Sequence, residues 1–267
     1  MGTLHQVTPG ESVDLSEITT AGKDLHDDRD KAEKEFKKFR KRIAELQPVL
    51  YAEGKHKLLV VLQAMDAGGK DSTTRSVFEG VNPQGVHVIS FKAPSKRELA
   101  HDYLWRVHRN VPPLGMIHVF NRSHYEDVLI VRVDELVPQE VWEPRFDQIN
   151  QFEKFLTETG TTILKFYLHI SKDEQKERFQ SRLDEPHKHW KFSLQDLEKR
   201  KQWDQYRTAF NDVITKCSTE HAPWHVIPAD QKWYRNWAVS KILCEKLEEL
   251  NPQYPPDEPG LDQIVIE

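Results

Sequence analysis

Between Leu58 and Arg75 the chain reads LLVVLQAMDAGGKDSTTR, in which an aliphatic run passes directly into a glycine turn, a lysine and a hydroxyl-rich segment. No other stretch limits the fold as tightly. A continuous aliphatic run of this length suits a strand buried on both faces, as in parallel sheets. The glycines before Lys70 then predict a sharp turn into a helix. In such a turn successive backbone N–H groups converge, the helix N-terminus adds partial positive charge and Lys70 adds a full one, so the whole forms a phosphate cradle. The spacing departs from the usual GxxxxGK[ST] loop: Ala64 stands where the first glycine belongs and Asp71 where the hydroxyl belongs. Asp66 also places a carboxylate inside the loop, and that acid needs an explanation.

The rest of the chain alternates strand and helix signals. Short apolar runs rich in β-branched and aromatic residues predict strands over 58–63, 86–90, 116–121, 163–170 and 225–227. Helical spacing predicts helices over 70–79, 96–109, 125–132, 145–159, 173–183, 193–215 and 232–250. Ahead of them, Phe36, Phe39, Ile43, Leu46 and Leu50 recur at helical intervals, and the interleaved Glu33, Glu35 and Glu45 make the KKFRKR run a solvated face. Residues 1–28 lack periodicity and read as an extended arm. The alternation predicts an α/β fold with a parallel sheet of about five strands, flanked by helices, whose ligands bind beyond the carboxyl ends of the strands. Without an internal repeat or low-complexity linker, residues 1–267 are expected to form a single domain.

Composition narrows the function classes. A hydrophobic fraction of 37% supports a sizeable core, and no apolar run approaches the length that spans a bilayer. The N-terminus lacks a basic, then apolar, secretory pattern and a myristoylation pattern, and only Cys217 and Cys244 occur, so a cytoplasmic protein without a disulfide framework is expected. The net charge of −5 does not exclude an anionic ligand, because a local cleft is governed by its own charges. Cations gather over 92–109 and 178–207, while the C-terminal tail is acidic.

Three of the first four strand ends pair a cation with an acid or hydroxyl: the loop with Asp66 and Lys70, then FKAPSKREL, then FNRSHYEDV. Phosphoryl transfer asks for this mixture, because cations must surround the transferred oxygens and carboxylates must hold Mg²⁺. Each piece also has a bland explanation. Acids at 126 and 127 suit a helix N-terminus, and Arg178 and Arg182 share a helix face that could pair with Glu174 or Glu185. The many tryptophans are better explained by packing than by base stacking.

Taken together, AMDAGGKD, FNRSHYEDV, PHKHWKFSLQDLEKRKQWDQY and APWHVIPADQKWYRN closely resemble the family-2 polyphosphate kinases, in the same order and over roughly residues 30–250. The resemblance implies a phosphate-loop kinase fold akin to thymidylate kinase, with a helical lid over about 187–207. It implies transfer of the terminal phosphoryl group of inorganic polyphosphate to a nucleotide, reversibly, with Mg²⁺ or Mn²⁺ as cofactor. Some branches carry Asp at the end of the third strand, where this chain has Asn121. The Asn121 and Glu126-Asp127 arrangement resembles the branch that accepts both AMP and ADP, with guanine nucleotides as possible further acceptors.

Carried over residue by residue, the resemblance implies that Lys70, Ala67, the amides of Gly68 and Gly69, Asp71 and Ser72 hold nucleotide phosphates, with Glu126 near the acceptor. Asp66 and Asp127 are expected to ligate the metal, and Arg122 to neutralise the transferred phosphoryl. Arg178, Arg182 and Lys188 are expected as lid-side cations. Lys92, Arg97 and Arg106, with Lys96 and Arg109, are weaker candidates for a polyphosphate groove. No nucleic acid or membrane partner is expected, and the resemblance implies a homo-oligomer, a dimer or tetramer, to which Phe36, Phe39 and Ile43 could contribute. Two other readings compete. An ATP-dependent nucleoside monophosphate kinase would carry an intact GxxxxGK[ST] loop, and a non-catalytic polyanion-binding module would have no use for Asp66 and Asp127.

Overall fold

In the computed structural model, which describes residues 4–266, the aliphatic run becomes the central strand of a five-stranded parallel sheet. In chain order the elements of the first half are α1 (Arg29–Glu53), β1 (Lys57–Ala64), α2 (Lys70–Val77), β2 (Val86–Ser90), α3 (Lys96–Leu99), α4 (Trp105–His108) and β3 (Ile117–Asn121). The second half contains α5 (Ile130–Val133), α6 (Gln139–Trp142), α7 (Arg145–Glu158), β4 (Thr161–His169), α8 (Lys172–Asp184), α9 (Leu194–Lys201), α10 (Trp203–Cys217), β5 (Trp224–Pro228) and α11 (Lys232–Leu250). The strand order is β2-β3-β1-β4-β5.

That order positions the site. β1 connects back past β3 to β2, whereas β3 and β4 connect in the opposite sense. With right-handed crossovers, the chain therefore leaves β1 and its two neighbours on opposite faces of the sheet. A crevice opens above the carboxyl end of β1, where the glycine turn lies. Leu58–Leu62 pair with Ile117–Asn121 on one side and Thr162–Phe166 on the other, which buries both faces of the strand and explains its unbroken aliphatic character.

The five expected strands are found within two residues at each end, but three expected helices divide. The 96–109 segment splits because Ser95 and Glu98 form a capping box on α3, while the Asp102 carboxylate accepts from Leu104 N and starts a fresh turn before α4. The 125–132 segment is a 3₁₀ turn (His124–Val128) followed by α5, with Leu129 at φ −105°, ψ −88° between them. The 193–215 segment breaks at Gln202. Trp203, just beyond that break, is buried in the core, so the exposed part of the helical lid expected over about 187–207 ends before it.

Of the N-terminal arm, residues 1–3 lie outside the described residues. The remainder packs across the β5 edge: Val7 N donates to Trp224 O, Gln6 bridges His225 in antiparallel sense, and Leu15 N donates to Asn211 Oδ1. This covers an otherwise open sheet edge. Helix α1 lies on α11, and its Ile43, Leu46 and Leu50 are buried there, so Ile43 belongs to the core of this chain. Phe36 and Phe39 pack against the same core while staying partly exposed.

Candidate active site

The phosphate-loop geometry follows from two left-handed residues. Ala67 (φ 58°) and Gly69 (φ 101°) flank Gly68, and the alternation curls the backbone into a concave nest at the start of α2. Gly68 is required by space, since a Cβ there would lie 2.4 Å from the Ala64 Cβ. Its N–H donates to Met65 O at 3.0 Å. The expectation that the Gly68 amide binds phosphate is therefore corrected: that donor closes the turn. The N–H groups of the first turn of α2, from Lys70 to Ser72, have no intrahelical acceptor and stay open to an anion. Lys70 Nζ donates to Ala64 O at 3.0 Å, and burial, helped by the Arg122 charge, draws its ammonium down to about 8. The hydroxyls of Ser72 and Thr73 both donate to Gly69 O and brace the turn.

Opposite Lys70, the end of β3 delivers a third left-handed residue, Arg122 (φ 63°). Its Nη2 donates to Asp66 Oδ1 at 2.7 Å and its Nη1 to Glu126 Oε2 at 3.1 Å. The two carboxylates, Glu126 foremost, raise the guanidinium pKa further above its ordinary value. Asn121 donates to the Asp71 carboxylate, tying the first turn of α2 to β3. The 3₁₀ turn carrying Glu126 is anchored from below by a fully buried cluster. Lys165 Nζ donates to Glu153 Oε2 at 2.6 Å, to Tyr125 Oη at 2.8 Å and to Cys217 O at 2.7 Å. Glu153 Oε1 also bonds the His124 ring and the Tyr125 hydroxyl.

These groups open onto a cleft of about 700 Å³ whose far wall is α8 and the turn after it. Arg178 reaches the loop, but four of its donors are committed: Nε to Glu174, Nη1 to Ala67 O, and Nη2 to Ala229 O and Asp230 O. It lines the cleft as expected, on the wall formed by α8, while these bonds make it a clamp on the loop as well. Arg182 Nη1 donates to Lys191 O and to Asp196. Lys188 pairs with Glu185 and bonds Ser181. Arg182 and Lys188 line the cleft together with Lys191 and Trp190, whose ring is 80% exposed.

The expected pairing of Asp66 with Asp127 is not made. Asp127 is absent from the cleft lining and turns to Arg145, whose Nη1 lies 3.2 Å from its Oδ1. Burial outweighs that partner and pushes the Asp127 carboxyl up to about 6. Sequence proximity to Arg122 misled here, because the tight 3₁₀ turn sends consecutive acids to different sides. Among the described residues no three His, Cys, Asp or Glu side chains are grouped to hold a metal ion unaided. Asp66 does face the cleft with a hard oxygen. Such a donor set suits Mg²⁺, which commonly takes one or two carboxylates and completes its shell with substrate phosphates and water.

Of the weaker groove candidates only Lys92 reaches the cleft. Arg97 and Arg109 stack on the Trp105 ring, and Arg106 lies over Phe91 while donating to Lys92 O. They are corrected to supports for the β2 side of the opening. Sequence reasoning overlooked Lys232 and Arg235, which both line the cleft. They stand three apart at the start of α11, directly after the carboxyl end of β5, and that strand end was the available signal. A second cavity of about 180 Å³ adjoins Asp66, Arg122 and Glu126, lined by Met65, Leu129, Trp203, Tyr206 and Phe210.

Comparison with known proteins is consistent with this geometry. The family model described as Polyphosphate kinase 2 (PPK2) matches residues 26–255. The AMP/ADP-polyphosphate phosphotransferase of Meiothermus ruber is 61% identical over 227 residues, covering 85% of this chain and 85% of that protein. The ADP-polyphosphate phosphotransferase of Rhodopseudomonas palustris is 43% identical over 98% of this chain and 95% of its own length. The crystal structure of Polyphosphate Kinase 2 from Arthrobacter aurescens TC1 superposes with a TM-score of 0.90 at 43% identity, covering 95% of this chain and 91% of that one.

Proposed function

This chain belongs to the polyphosphate kinase 2 family, and on that premise we propose how its cleft divides the work of phosphorylating nucleotides from polyphosphate. The enzyme transfers a phosphoryl group from inorganic polyphosphate to AMP and ADP. Lys70 and the first-turn amides of α2 hold phosphate oxygens on the loop side. Arg122, already oriented by Asp66 and Glu126, faces the charge that builds on the transferred group. A donor held in place before reaction lowers the barrier without reorganisation. Arg182, Lys188 and Lys191, on the exposed segment that follows α8, close over the chain as a lid and exclude water. Asp71, fixed by Asn121, keeps the first turn of α2 in register with β3.

Mg²⁺, with Mn²⁺ as a substitute, fits at Asp66, where it would screen charge between donor and acceptor phosphates. Glu126 stays with Arg122 as its orienting partner. Reversibility, guanine nucleotides as further acceptors, a dimer or tetramer and a cytoplasmic location belong to the same proposal and rest on the family resemblance. No described helix is long and apolar enough to cross a membrane.

The observation that carries the proposal is Arg122 held between two carboxylates across an open cleft from Lys70. Purified protein supplied with polyphosphate and Mg²⁺ should convert AMP to ADP and ADP to ATP, with slower or equal use of GMP and GDP. Chelation should stop turnover, and ATP should be a poor donor to AMP in the absence of polyphosphate. Lack of product from every nucleotide overturns the proposal.

A further inference from the structure

Arg235 is the least explained charge in the molecule. It is 1% exposed, yet it forms no ion pair among the described residues, and its Nη1 has no protein partner. Its Nε and Nη2 both donate to Asn236 Oδ1, at 3.1 and 2.8 Å, which fixes the guanidinium and leaves Nη1 directed at the loop. A Cβ on Gly69 would meet that nitrogen at 2.0 Å, so the guanidinium sits immediately against the nest. The charges around it are mostly of its own sign. Arg178, Lys188 and Lys232 surround this end of the cleft, and the acid closest in influence, Glu174, is already bonded to Arg178 at 2.7 Å. Burial and the Arg178 charge draw the guanidinium down to about 9. An uncompensated buried cation is costly, and an anion bound beside it would remove that cost.

We infer that Arg235, with Lys232 beside it on the same face of α11, forms a phosphate-oxygen subsite on the β5 side of the loop. It takes an anhydride-linked phosphate other than the one transferred. Lys232 and Arg235 are spaced to lie on one helix face, and both line the cleft with Gly69 and Lys70. The subsite and Arg122 therefore grip the phosphate chain from opposite sides of the loop. The ligand chemistry is that of a polyphosphate segment or a nucleoside diphosphate tail, and the assignment rests on the phosphotransferase reading above.

The test compares wild type, Arg235→Met and Arg235→Lys in two steady-state series, varying polyphosphate at saturating ADP and ADP at saturating polyphosphate. Thermal melts are run alone, with tripolyphosphate and with ADP. Arg235→Met is expected to raise the KM for one of the two substrates by roughly tenfold to a hundredfold, the scale of losing a charge-assisted hydrogen bond. It should also abolish most of that ligand's thermal protection while leaving the unliganded melting temperature unchanged or higher. Protection lost for tripolyphosphate assigns the subsite to the donor, and protection lost for ADP assigns it to the acceptor. Arg235→Lys should recover part of the KM. Unchanged KM and protection for both ligands, or a lowered unliganded melting temperature with no selective KM effect, overturns the inference. Should Arg235→Met fail to fold, Arg235→Lys and Lys232→Gln decide it: both should raise the same KM, and no change in either overturns it. Wild-type protein lacking polyphosphate-dependent turnover would refute the functional reading, whereas an active wild type with an indifferent Arg235→Met refutes the subsite alone.

Discussion

Arg122 Nη2 lies 2.7 Å from Asp66 Oδ1, so the one acid inside the phosphate loop is bonded to the arginine that ends β3. The contact joins two strand ends 56 residues apart in sequence and explains why a loop built for anions tolerates a carboxylate. The same Asp66 proposed to offer oxygen to a metal also aims the arginine.

That double role predicts separable defects. Arg122→Lys keeps the charge but cannot bridge Asp66 and Glu126, and kcat should fall by about a hundredfold or more. Asp66→Asn should raise the Mg²⁺ concentration for half-maximal rate by more than about tenfold. Initial rates across a Mg²⁺ titration check both, and an Asp66→Asn enzyme with unaltered Mg²⁺ demand removes Asp66 as a ligand.

Lys70 sets an alkaline limit. In the unliganded enzyme its ammonium titrates at about 8, so kcat/KM should decline above that pH as the cradle loses its cation. Bound phosphate favours the charged form, so the corresponding limb of kcat should lie higher. Stability responds in the opposite direction. Because the folded pKa lies below the unfolded value, the unfolded chain holds the proton more tightly between about 8 and the ordinary lysine value, and stability from this group rises with pH across that window. Lys70→Arg should erase the alkaline limb of kcat/KM; a limb that persists belongs to another group.

Gly69→Ala should be damaging out of proportion to one methyl. The residue sits at φ 101°, and the added carbon would meet Arg235 Nη1 at 2.0 Å. The left-handed backbone alone costs about 1–2 kcal/mol for a side chain. At about 2–4 °C per kcal/mol in a chain of this class, differential scanning calorimetry should register the loss, together with a steep fall in turnover.

Glu153→Gln should leave Lys165 as an unpaired buried cation and cost roughly 3–5 kcal/mol in urea unfolding. The double variant Glu153→Gln with Lys165→Met should recover much of that loss. If Glu153→Gln unfolds like wild type, the buried pair does not anchor the turn that carries Glu126.

Much of this arrangement was readable from the residues. The apolar run of β1 and the glycines after it determine the sheet centre and the turn, because steric and hydrogen-bond rules leave few alternatives for such a segment. Lys70, Asp66 and Arg122 follow from lying at adjacent strand ends. Asp127 and the Arg97–Arg109 cluster were not readable: their directions depend on a 3₁₀ turn and on stacking over Trp105, which neither charge nor spacing specifies. Lys165 and Glu153 pair a strand with a helix, and only the oddity of a lysine inside TTILKFYLH marks the first of them. Arg235 lies too far along the chain for its approach to Gly69 to be inferred without the sheet order.

The clasp made by Arg178 has a mechanical consequence. By bonding the carbonyls of Ala67, Ala229 and Asp230 at once, it couples α8 to both loops and makes the three a single lever. In the closure proposed above, movement would lie beyond α8, where Glu185 is extended, and would have to break the bonds from Arg182 to Lys191 O and Asp196 while the floor beneath the substrate stays still.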